Sequence, residues 1–291
     1  MSSEWREIRK LSVLMPAYNE GRHIVDNLKR VREVLKEVSE FELIVIDDGS
    51  KDNTSEEIIR AQETIPELKL VRLDKNVGKG HALKIGFQSA KGDFIFFLDS
   101  DLDLPPEQMT VLWRTMLREN ADVVIGSKRH PESKTDYPIN RRLYSSGYFL
   151  LVKLMFGLPI HDTQTGLKLF RREVLEKCFP KLLVKSFAFD LELLMLAHYY
   201  GFTIAEAPVV IEFKQKLGGI GMSAVWSIGW DTFALFYRLR LMRYYDRLER
   251  GEVKREPEPR VQISATRRAP GRRPSEAGRA APQRREVPPG N

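Results

Sequence analysis

The stretch that decides the fold is Phe94-Ile95-Phe96-Phe97-Leu98-Asp99-Ser100-Asp101-Leu102-Asp103. Its first five residues are apolar, which is typical of a strand buried on both faces of a parallel sheet. Three carboxylates follow at alternate positions, where the strand should end. Because alternate residues of a strand share a face, Asp99, Asp101 and Asp103 can converge on one point. Carboxylates at such short distances repel one another unless a cation lies among them.

Mg²⁺ or Mn²⁺, hard cations that prefer oxygen ligands, suit this acidic triplet. Asp99, Asp101 and Asp103 are therefore the predicted metal ligands. The alternative is an acidic loop that caps the helix beginning near Pro105, and Asp-x-Asp alone is a weak signal. Both interpretations stay open for Asp103, which can be a further ligand or the helix cap.

Apolar runs alternate with helical patterns from residue 11 to residue 125. Strands are predicted at 11–15, 41–46, 68–73, 94–98 and 121–125, and helices at 21–38, 55–64, 81–90 and 105–119. This alternation predicts an α/β fold, a mostly parallel sheet flanked by helices. Polar clusters follow all five strands, at Tyr18 and Glu20, Asp47 and Asp48, 76–79, 99–103 and 127–130. Ligands bind beyond the carboxyl ends of such strands, so these clusters predict one shared cleft.

The alternation stops after residue 126. The pattern there predicts a polar loop, an apolar helix, a loop and strand, two helices and a strand, at 128–140, 141–157, 162–170, 174–179, 190–200 and 203–213. An aromatic, amphipathic helix at 223–245 follows the Gly-rich residues 215–221. We expect a catalytic domain at 1–215, a mobile loop and an amphipathic helix that faces a membrane or a partner at 216–248, and a disordered basic tail at 249–291.

Composition narrows the class of protein. The single cysteine, Cys178, excludes a disulfide framework and a cysteine-based zinc site, and it predicts a reducing compartment. The residues before Leu11 do not resemble a signal peptide, and no apolar run is long enough to predict a transmembrane helix. Residues 249–291 carry 11 Lys and Arg against 6 Asp and Glu, so most of the +7 net charge lies there. The mildly basic remainder argues against nucleic-acid binding.

The chain resembles the family 2 glycosyltransferases of the GT-A (Rossmann-like) fold and, more narrowly, the dolichyl-phosphate mannose and glucose synthases. The matching segments appear in the family's order across roughly residues 10–215. They are Pro16-Ala17-Tyr18-Asn19-Glu20, Asp47-Asp48-Gly49-Ser50-Lys51-Asp52, Asn76-Val77-Gly78-Lys79-Gly80, Asp99-Ser100-Asp101 and Asp162-Thr163-Gln164-Thr165-Gly166-Leu167-Lys168-Leu169-Phe170. The last segment is closer to the glucosyl branch than to the mannosyl one.

The resemblance implies a nucleotide-sugar donor, UDP-glucose or GDP-mannose. It assigns to donor binding Pro16, Tyr18, Glu20, Asp47, Asp48, Lys79, Asp99 and Asp101. The metal at Asp99 and Asp101 would stabilise the charge of the departing nucleoside diphosphate as a Lewis acid. Loop packing for Tyr18 and helix capping for Asp47 stay open as structural alternatives.

The implied acceptor is a polyprenyl or dolichyl monophosphate. Its oxygen is already anionic, so it needs a cationic clamp rather than a general base. Candidates for the clamp are Lys128, Arg129, Arg141, Arg142, Ser145 and Lys168, and those expected to act in catalysis are Asp101, Lys128, Arg129 and Arg141. The family has Arg where Lys128 stands, so either Lys128 substitutes without bidentate geometry or Arg129 takes over. Each basic residue could instead be a solvated surface charge.

Two functions other than transfer to a lipid phosphate stay open. The second is that of a GT-A enzyme acting on a saccharide hydroxyl, which would use Asp190 as its base. Asp190 and Glu192 could equally be charges in the first turn of a helix. The third possibility is a nucleotide-sugar-binding or membrane-scaffold protein without enzymatic activity.

Transfer to a lipid phosphate would require contact with a membrane. The helices at 143–157 and 223–245 would then lie on its cytoplasmic face, with Arg238, Arg240 and Arg243 near anionic headgroups. They could instead pack on the sheet or in a homodimer.

Overall fold

The computed structural model describes residues 5, 8–134, 139–184, 188–211, 222–253 and 263–264. Its strands are β1 (Leu11–Ala17), β2 (Phe41–Asp47), β3 (Leu68–Leu73), β4 (Phe94–Phe97), β5 (Val123–Ser127), β6 (Lys168–Arg171), β7 (Ile204–Pro208) and β8 (Ile263–Ser264). Its α-helices are α1 (Ile24–Leu35), α2 (Thr54–Ala61), α3 (Lys79–Ser89), α4 (Met109–Glu119), α5 (Ile139–Phe156), α6 (Arg172–Cys178), α7 (Phe189–Tyr199), α8 (Met222–Phe236) and α9 (Tyr244–Glu249). Short 3₁₀ segments lie at Pro106–Gln108 and Phe179–Lys181, and a π-helix at Tyr237–Leu241.

The strands form one sheet in the order β7-β5-β6-β4-β1-β2-β3-β8. β1 pairs in parallel with β2 and β4, β2 with β3, and β5 with β7. β6 lies antiparallel between β4 and β5. The chain passes to the other side of β1 after β3, so the carboxyl ends of β1 and β4 flank a topological switch point, where open sheets bind ligands. The predicted fold, a mostly parallel sheet flanked by helices, is confirmed.

Hydrophobic layers cover both faces of the sheet, because successive residues of β1 point to opposite sides. Val13 and Met15 join one layer, together with the apolar stripe of α1 and residues of α4. Leu14 joins the other layer, together with residues of α3 and α7. The unbroken apolar runs predicted as strands are therefore buried on two sides, which leaves only their ends for polar chemistry.

The C-terminal segment is not the single long helix predicted at 223–245. The π-helix follows α8, and Arg243 then adopts a left-handed backbone conformation with φ 45°, which interrupts the helix before α9. Leu235 and Tyr245 are buried in the same layer as Leu14, so this segment contributes to the core of the sheet. The predicted Gly-rich stretch 215–221 and most of the tail lie outside the described residues.

The last predicted long strand, at 203–213, is shorter than expected. β7 ends at Pro208, which has no N–H to extend a ladder of hydrogen bonds. Within the described ranges, no helix combines the length and the apolar character that crossing a bilayer requires.

Candidate active site

The acidic residues after β4 form a tight turn at the switch point. Leu102 has a left-handed backbone with φ 53°, and its side chain is fully buried. Its N–H donates to the carbonyl oxygen of Asp99 at 3.2 Å, and the amide of Asn27 on α1 donates to that of Ser100 at 2.7 Å. An anchored backbone of this kind holds the Asp99 and Asp101 side chains at the edge of the sheet.

Asp103 does not join Asp99 and Asp101 in the predicted three-carboxylate site. Its N–H donates to Asp101 Oδ1 at 3.1 Å, which closes the turn. In the part of the chain that the structure describes, no three His, Cys, Asp or Glu side chains are grouped so that they could hold a metal ion. Asp103 is not the predicted helix cap either, because Pro105 is the N-cap residue of the helical segment that follows.

The pair Asp99 and Asp101 still suits a divalent cation. Desolvation and the charge of Asp99 raise the pKa of Asp101. Desolvation and the charge of Asp101 likewise raise the pKa of Glu20, at the end of β1. Negative charge is thus concentrated between β1 and β4. Because Mg²⁺ is typically held by one or two carboxylates plus substrate phosphates, two aspartates and a diphosphate would complete such a site.

Lys79, the first residue of α3, forms an ion pair with Asp99. Burial lowers the pKa of Lys79, but the charges of Asp99 and Asp190 outweigh this effect and raise it overall. Burial raises the pKa of Asp99, but the charges of Lys79 and Lys168 outweigh it and lower the pKa overall. Both groups therefore stay charged, and a diphosphate at Asp99 would meet the Lys79 ammonium directly.

Lys168 is not placed to clamp an acceptor phosphate, contrary to prediction. It is 1% exposed, and its ammonium donates to Asp190 at 2.7 Å and to the carbonyl oxygen of Thr165. Burial lowers the pKa of Lys168, and the charge of Asp190 opposes that shift. Asp190 lies in the first turn of α7, after the N-cap residue Ala188. Its carboxylate is committed to this ion pair, which weakens the reading of Asp190 as a base for a saccharide hydroxyl.

Glu192, two residues further along α7, is fully buried. One oxygen accepts the N–H groups of Leu183 and Val184, at 2.9 Å and 2.7 Å, and the other accepts the hydroxyl of Tyr245 on α9. Burial raises the pKa of Glu192, although these hydrogen bonds oppose the shift. The first turn of α7 therefore connects the site, through Asp190, to the C-terminal helices.

Asp47, predicted to accept hydrogen bonds from the nucleoside, and Asp48, predicted to lie nearby, each hold loops together. Asp47 is fully buried and accepts the hydroxyl of Ser55. Asp48 accepts the N–H groups of Val77 and Gly78, at 2.7 Å and 3.0 Å. Desolvation raises the pKa of Asp48 against the effect of these two donors. The geometry does not support a direct nucleoside contact for Asp47, whose side chain is enclosed.

The remaining residues predicted for donor binding lie at the end of β1. Pro16 is half-buried within the strand, and Glu20 is half-buried with its N–H donating to Thr54 Oγ1 at 2.8 Å. Tyr18 is 40% exposed, so packing into the core does not account for it. This loop therefore presents one aromatic ring to solvent and one carboxyl group to the acidic turn.

Two predicted acceptor cations lie in the loop after β5. The N–H of Lys128 donates to Asp162 at 3.1 Å, and its charge is among those that lower the pKa of Asp99 against the effect of burial. The guanidinium of Arg129 lies 5.2 Å from the ring centroid of Phe149, which connects the loop to α5. Three further candidates lie on α5 with side chains outside the described residues: Arg141, Arg142 and Ser145.

Sequence reasoning missed the close approach of the loop before β6 to Asp99. A Cβ on Gly166 would lie 1.9 Å from Asp99 Oδ2, so only glycine leaves that carboxylate in place. Thr165, the residue before Gly166, is fully buried, and its hydroxyl has no hydrogen-bond partner among the described residues. Thr165 and Gly166 belong to the segment 162–170, which resembles the family, but nothing in the order of its residues indicated a contact with Asp99.

Comparison with known proteins agrees with this arrangement. Residues 12–179 match glycosyl transferase family 2. A dolichyl-phosphate beta-glucosyltransferase of Trichomonas vaginalis is 31% identical over 253 residues, which cover 81% of this chain and 74% of that protein. The human dolichyl-phosphate beta-glucosyltransferase is 31% identical over 259 residues, which cover 83% of this chain and 78% of that one.

Solved structures show the same fold. The glucosyl-3-phosphoglycerate synthase of Mycobacterium tuberculosis, in complex with Mn²⁺, UDP and glucosyl-3-phosphoglycerate, has a TM-score of 0.60 at 21% identity over 79% of each chain. At that identity the likeness concerns the fold alone. The family match covers more than half of the chain and includes the whole Asp99–Asp101 turn. The resemblance is thereby confirmed, and the chain belongs to glycosyl transferase family 2.

Proposed function

We propose that this glycosyltransferase moves glucose from UDP-glucose to the phosphate of a dolichyl or other polyprenyl lipid. The dolichyl-phosphate beta-glucosyltransferases similar to it cover about four fifths of the chain, which supports both the sugar and the lipid acceptor. The observation that carries the proposal is the anchored turn with Asp99 and Asp101 at the switch point, beside Lys79.

Asp99 and Asp101 would hold the Mg²⁺ or Mn²⁺ ion, which supplies Lewis-acid stabilisation of the departing diphosphate when bound. Lys79 would add a second positive charge at the same diphosphate. Tyr18, which is exposed beside this edge, is the residue we assign to the nucleoside. Asp47 and Asp48 support that pocket indirectly, by fixing the loops after β2 and β3.

In the proposed reaction, an acceptor phosphate oxygen attacks the anomeric carbon of glucose. The bond from that carbon to the diphosphate breaks, and its electron pair leaves with UDP. Because the attacking oxygen is already an anion, no proton has to be removed, and the commitment of Asp190 to Lys168 is no obstacle. In-line attack inverts the anomeric centre, so an α-linked donor yields a β-linked lipid product.

Lys128 and Arg129 are the cations we assign to the acceptor phosphate, with Arg141 from the first turns of α5. Both loop residues follow β5, on the side of the sheet edge where Lys128 acts on Asp99. α5 and α8 carry exposed apolar side chains further along, including Leu154 and Trp230. Such a surface suits peripheral contact with the cytoplasmic face of the membrane that holds the lipid.

The test is incubation of the purified protein with UDP-glucose, Mn²⁺ and dolichyl phosphate, followed by mass analysis of the lipid product. GDP-mannose in place of UDP-glucose, and a saccharide in place of the lipid, serve as the competing substrates. We expect a lipid heavier by one hexose, formed from UDP-glucose only when the metal is present. Transfer to the saccharide but not to the lipid would contradict the proposal, as would a product formed from GDP-mannose alone.

A further inference from the structure

A pocket of about 400 Å³ lies between the ends of α5 and α7, the π-helix and α9. We call it the C-terminal pocket, and its volume is in the usual range of small-molecule sites. His198, which lines it, lies about 12 Å further along the axis of α7 than Asp190, which joins the active site through Lys168. The pocket is therefore separate from the acidic turn at the switch point.

The floor of the C-terminal pocket is apolar. Phe156 at the end of α5 and Met195 on α7 are buried, and Leu239 of the π-helix is half-buried. The rings of Phe156 and Phe236 meet edge to face with centroids 6.2 Å apart, which holds the end of α5 against the end of α8. Ring, thioether and alkyl groups of this kind favour an apolar chain over a polar ligand.

The rim of the C-terminal pocket is basic, because the exposed side chains of His198, Arg240 and Arg243 line it. Asp246 is the acidic residue among the described residues of the lining, and both of its oxygens are engaged. One accepts the hydroxyl of Tyr199, and the other accepts Nε–H of Arg243 at 2.9 Å. These two hydrogen bonds lower the pKa of Asp246, so its charge is kept and is matched by that of Arg243.

Arg240 adds a positive charge that the lining does not balance. Among the residues that the structure describes, its guanidinium has no hydrogen-bond or ion-pair partner. A guanidinium carries five N–H donors and pairs with a phosphate group through two parallel hydrogen bonds. Two arginines against one carboxylate leave the rim with net positive charge, which suits an anionic group.

The backbone of this segment places Arg240 and Arg243 at the rim. In the π-helix, the N–H of Met242 donates to the carbonyl oxygen of Tyr237 at 3.0 Å, five residues back, which widens the turn by one residue. Arg243 then turns the chain into α9 with a φ of 45°. Widened turns of this kind are rare and are frequently found at functional sites.

The surface beside the pocket is apolar and exposed. Four large side chains, three or four residues apart, share one face of α8 and the π-helix that continues it: Trp230, Phe233, Tyr237 and Leu241. Met242, which follows Leu241 in the chain, is exposed as well. An apolar stripe that ends among arginines is typical of a helix in a membrane interface, where the cations lie at the level of the headgroups.

We propose that the C-terminal pocket binds one anionic phospholipid, with its phosphate at Arg240 and Arg243 and the start of an acyl chain on the apolar floor. Such a lipid joins a negative charge to a hydrocarbon chain, and the pocket offers a basic rim above an apolar floor in the same order. A zwitterionic phospholipid would add an ammonium group that the two arginines repel. A free phosphate ion would leave the floor uncovered, so an anionic phospholipid fits best.

Equilibrium binding of short-chain phospholipids to the full chain, below the concentration at which they form micelles, tests this. The probes are dihexanoyl phosphatidylglycerol, which is anionic, dihexanoyl phosphatidylcholine, which is zwitterionic, and inorganic phosphate, which has no chain. We expect phosphatidylglycerol to bind and the other two to bind at least about tenfold more weakly.

Arg240→Gln removes the guanidinium, and Leu239→Trp fills the floor of the pocket without a change of charge. Each should raise the Kd for phosphatidylglycerol about tenfold. The matched control is Arg250→Gln, which removes the same charge from the same segment at a residue outside the lining. The control should bind phosphatidylglycerol as the wild type does. The Tm of each ligand-free variant checks its folding, and the Kd for UDP with Mn²⁺ should be unchanged in all three.

Equal weakening by Arg240→Gln and Arg250→Gln would indicate diffuse attraction to anionic lipid rather than a site, and would overturn the inference. Phosphatidylcholine or inorganic phosphate binding as tightly as phosphatidylglycerol would overturn it too, as would a wild type that binds none of the probes. Because the assay needs no sugar transfer, these results leave the proposed function as it stands. A protein that transfers no glucose would likewise leave the lipid site to be judged by its own binding data.

Discussion

Asp99 is confined by three neighbours, and each restricts what its carboxylate can do. Lys79 forms an ion pair with it, the charge of Lys168 helps to keep it ionised against the effect of burial, and Gly166 lies directly against it. Asp101 is more exposed than Asp99, and its carboxylate accepts the N–H of Asp103 in the turn. The two carboxylates therefore differ in freedom: under the proposed function, Asp99 is held in place before the metal ion and the diphosphate bind, and Asp101 can adjust to them.

Asp101→Asn should remove the metal dependence of nucleotide binding, whereas Asp103→Asn should leave it intact. Asparagine keeps an oxygen that can accept the N–H of Asp103, so the turn survives and only the charge is lost. We expect the Mn²⁺-dependent part of the affinity for UDP to fall by at least about tenfold for Asp101→Asn. The measurement is the Kd for UDP with Mn²⁺ and with EDTA. An Asp101→Asn protein that responds to EDTA as the wild type does would contradict this assignment.

Gly166→Ala should impair the same binding without unfolding the protein. Its methyl group would lie 1.9 Å from Asp99 Oδ2, but that oxygen is at the end of a side chain and can move away. We expect a loss of about tenfold in Mn²⁺-dependent UDP affinity with little change in Tm. Gly147→Ala on α5 is the control, because nothing lies within 4 Å of its Cβ position. Alanine should stabilise that helix by about 0.5–1 kcal/mol. Wild-type affinity in Gly166→Ala would show that Asp99 does not position the metal.

At the scale of elements, α7 carries two buried carboxylates that face different partners. Asp190 holds Lys168 below the acidic turn, and Glu192 holds Tyr245 of α9. Residues two apart on a helix point away from each other, so a single helical turn serves both the site and the C-terminal helices. The helix dipole favours negative charge in the first turn, where Asp190 and Glu192 lie. Both carboxylates also make tertiary contacts.

Asp190→Asn should destabilise the protein by roughly 3–5 kcal/mol, because it leaves the ammonium of Lys168 buried without its partner. The double variant Asp190→Leu with Lys168→Met should be less destabilised than Asp190→Asn alone, since no unpaired charge remains. Urea denaturation of the wild type, Asp190→Asn, the double variant and the single variants Asp190→Leu and Lys168→Met measures this. Destabilisation that simply adds across the two positions would argue against the ion pair. Loss of activity in Asp190→Asn would not by itself identify Asp190 as a catalytic base, because the same substitution leaves the buried ammonium of Lys168 without its partner.

The elements from β1 to α4 could be predicted to within a few residues because their signals are local. Each strand is an unbroken apolar run, and the predicted strand at 68–73 coincides with β3. The roles of polar residues were harder to predict, since they depend on contacts between distant parts of the chain. Lys168 meets Asp190, 22 residues away, and Asp99 meets Gly166. Alternation placed Asp103 on the face of Asp101, but the left-handed Leu102 ends the strand geometry on which that inference relied.

At the scale of the whole molecule, several large apolar side chains are exposed on α5 and α8. Leu154 on α5 is 77% exposed and Trp230 on α8 is 74% exposed, with Leu150, Leu151 and Phe233 exposed nearby in the chain. α5 and α8 are in contact, and the rings of Phe156 and Phe236 lie 6.2 Å apart. Two neighbouring helices that present apolar side chains are suited to a lipid surface or to a partner.

Leu154→Glu combined with Trp230→Glu should weaken vesicle binding by about tenfold or more, because burying one large apolar side chain contributes roughly 1.5–3 kcal/mol. Co-sedimentation with vesicles of zwitterionic and anionic phospholipid measures the bound fraction. Leu117→Glu is the control, since Leu117 is 43% exposed on α4, which packs on the other face of the sheet. Unchanged sedimentation would contradict membrane contact. A wild-type homodimer that the double variant converts to a monomer would instead assign this surface to a second copy of the chain.

The contact between Glu192 and Tyr245 has a consequence for how far the protein could be trimmed. The stretch matched to the family stops at residue 179, before both partners of this hydrogen bond. The buried carboxylate of Glu192 accepts a hydroxyl from Tyr245, 53 residues further along the chain. Cutting the polypeptide ahead of α8 would also uncover the hollow that Leu235 and Tyr245 fill. The smallest piece able to fold should therefore extend through α9, and shorter fragments should be insoluble or digested.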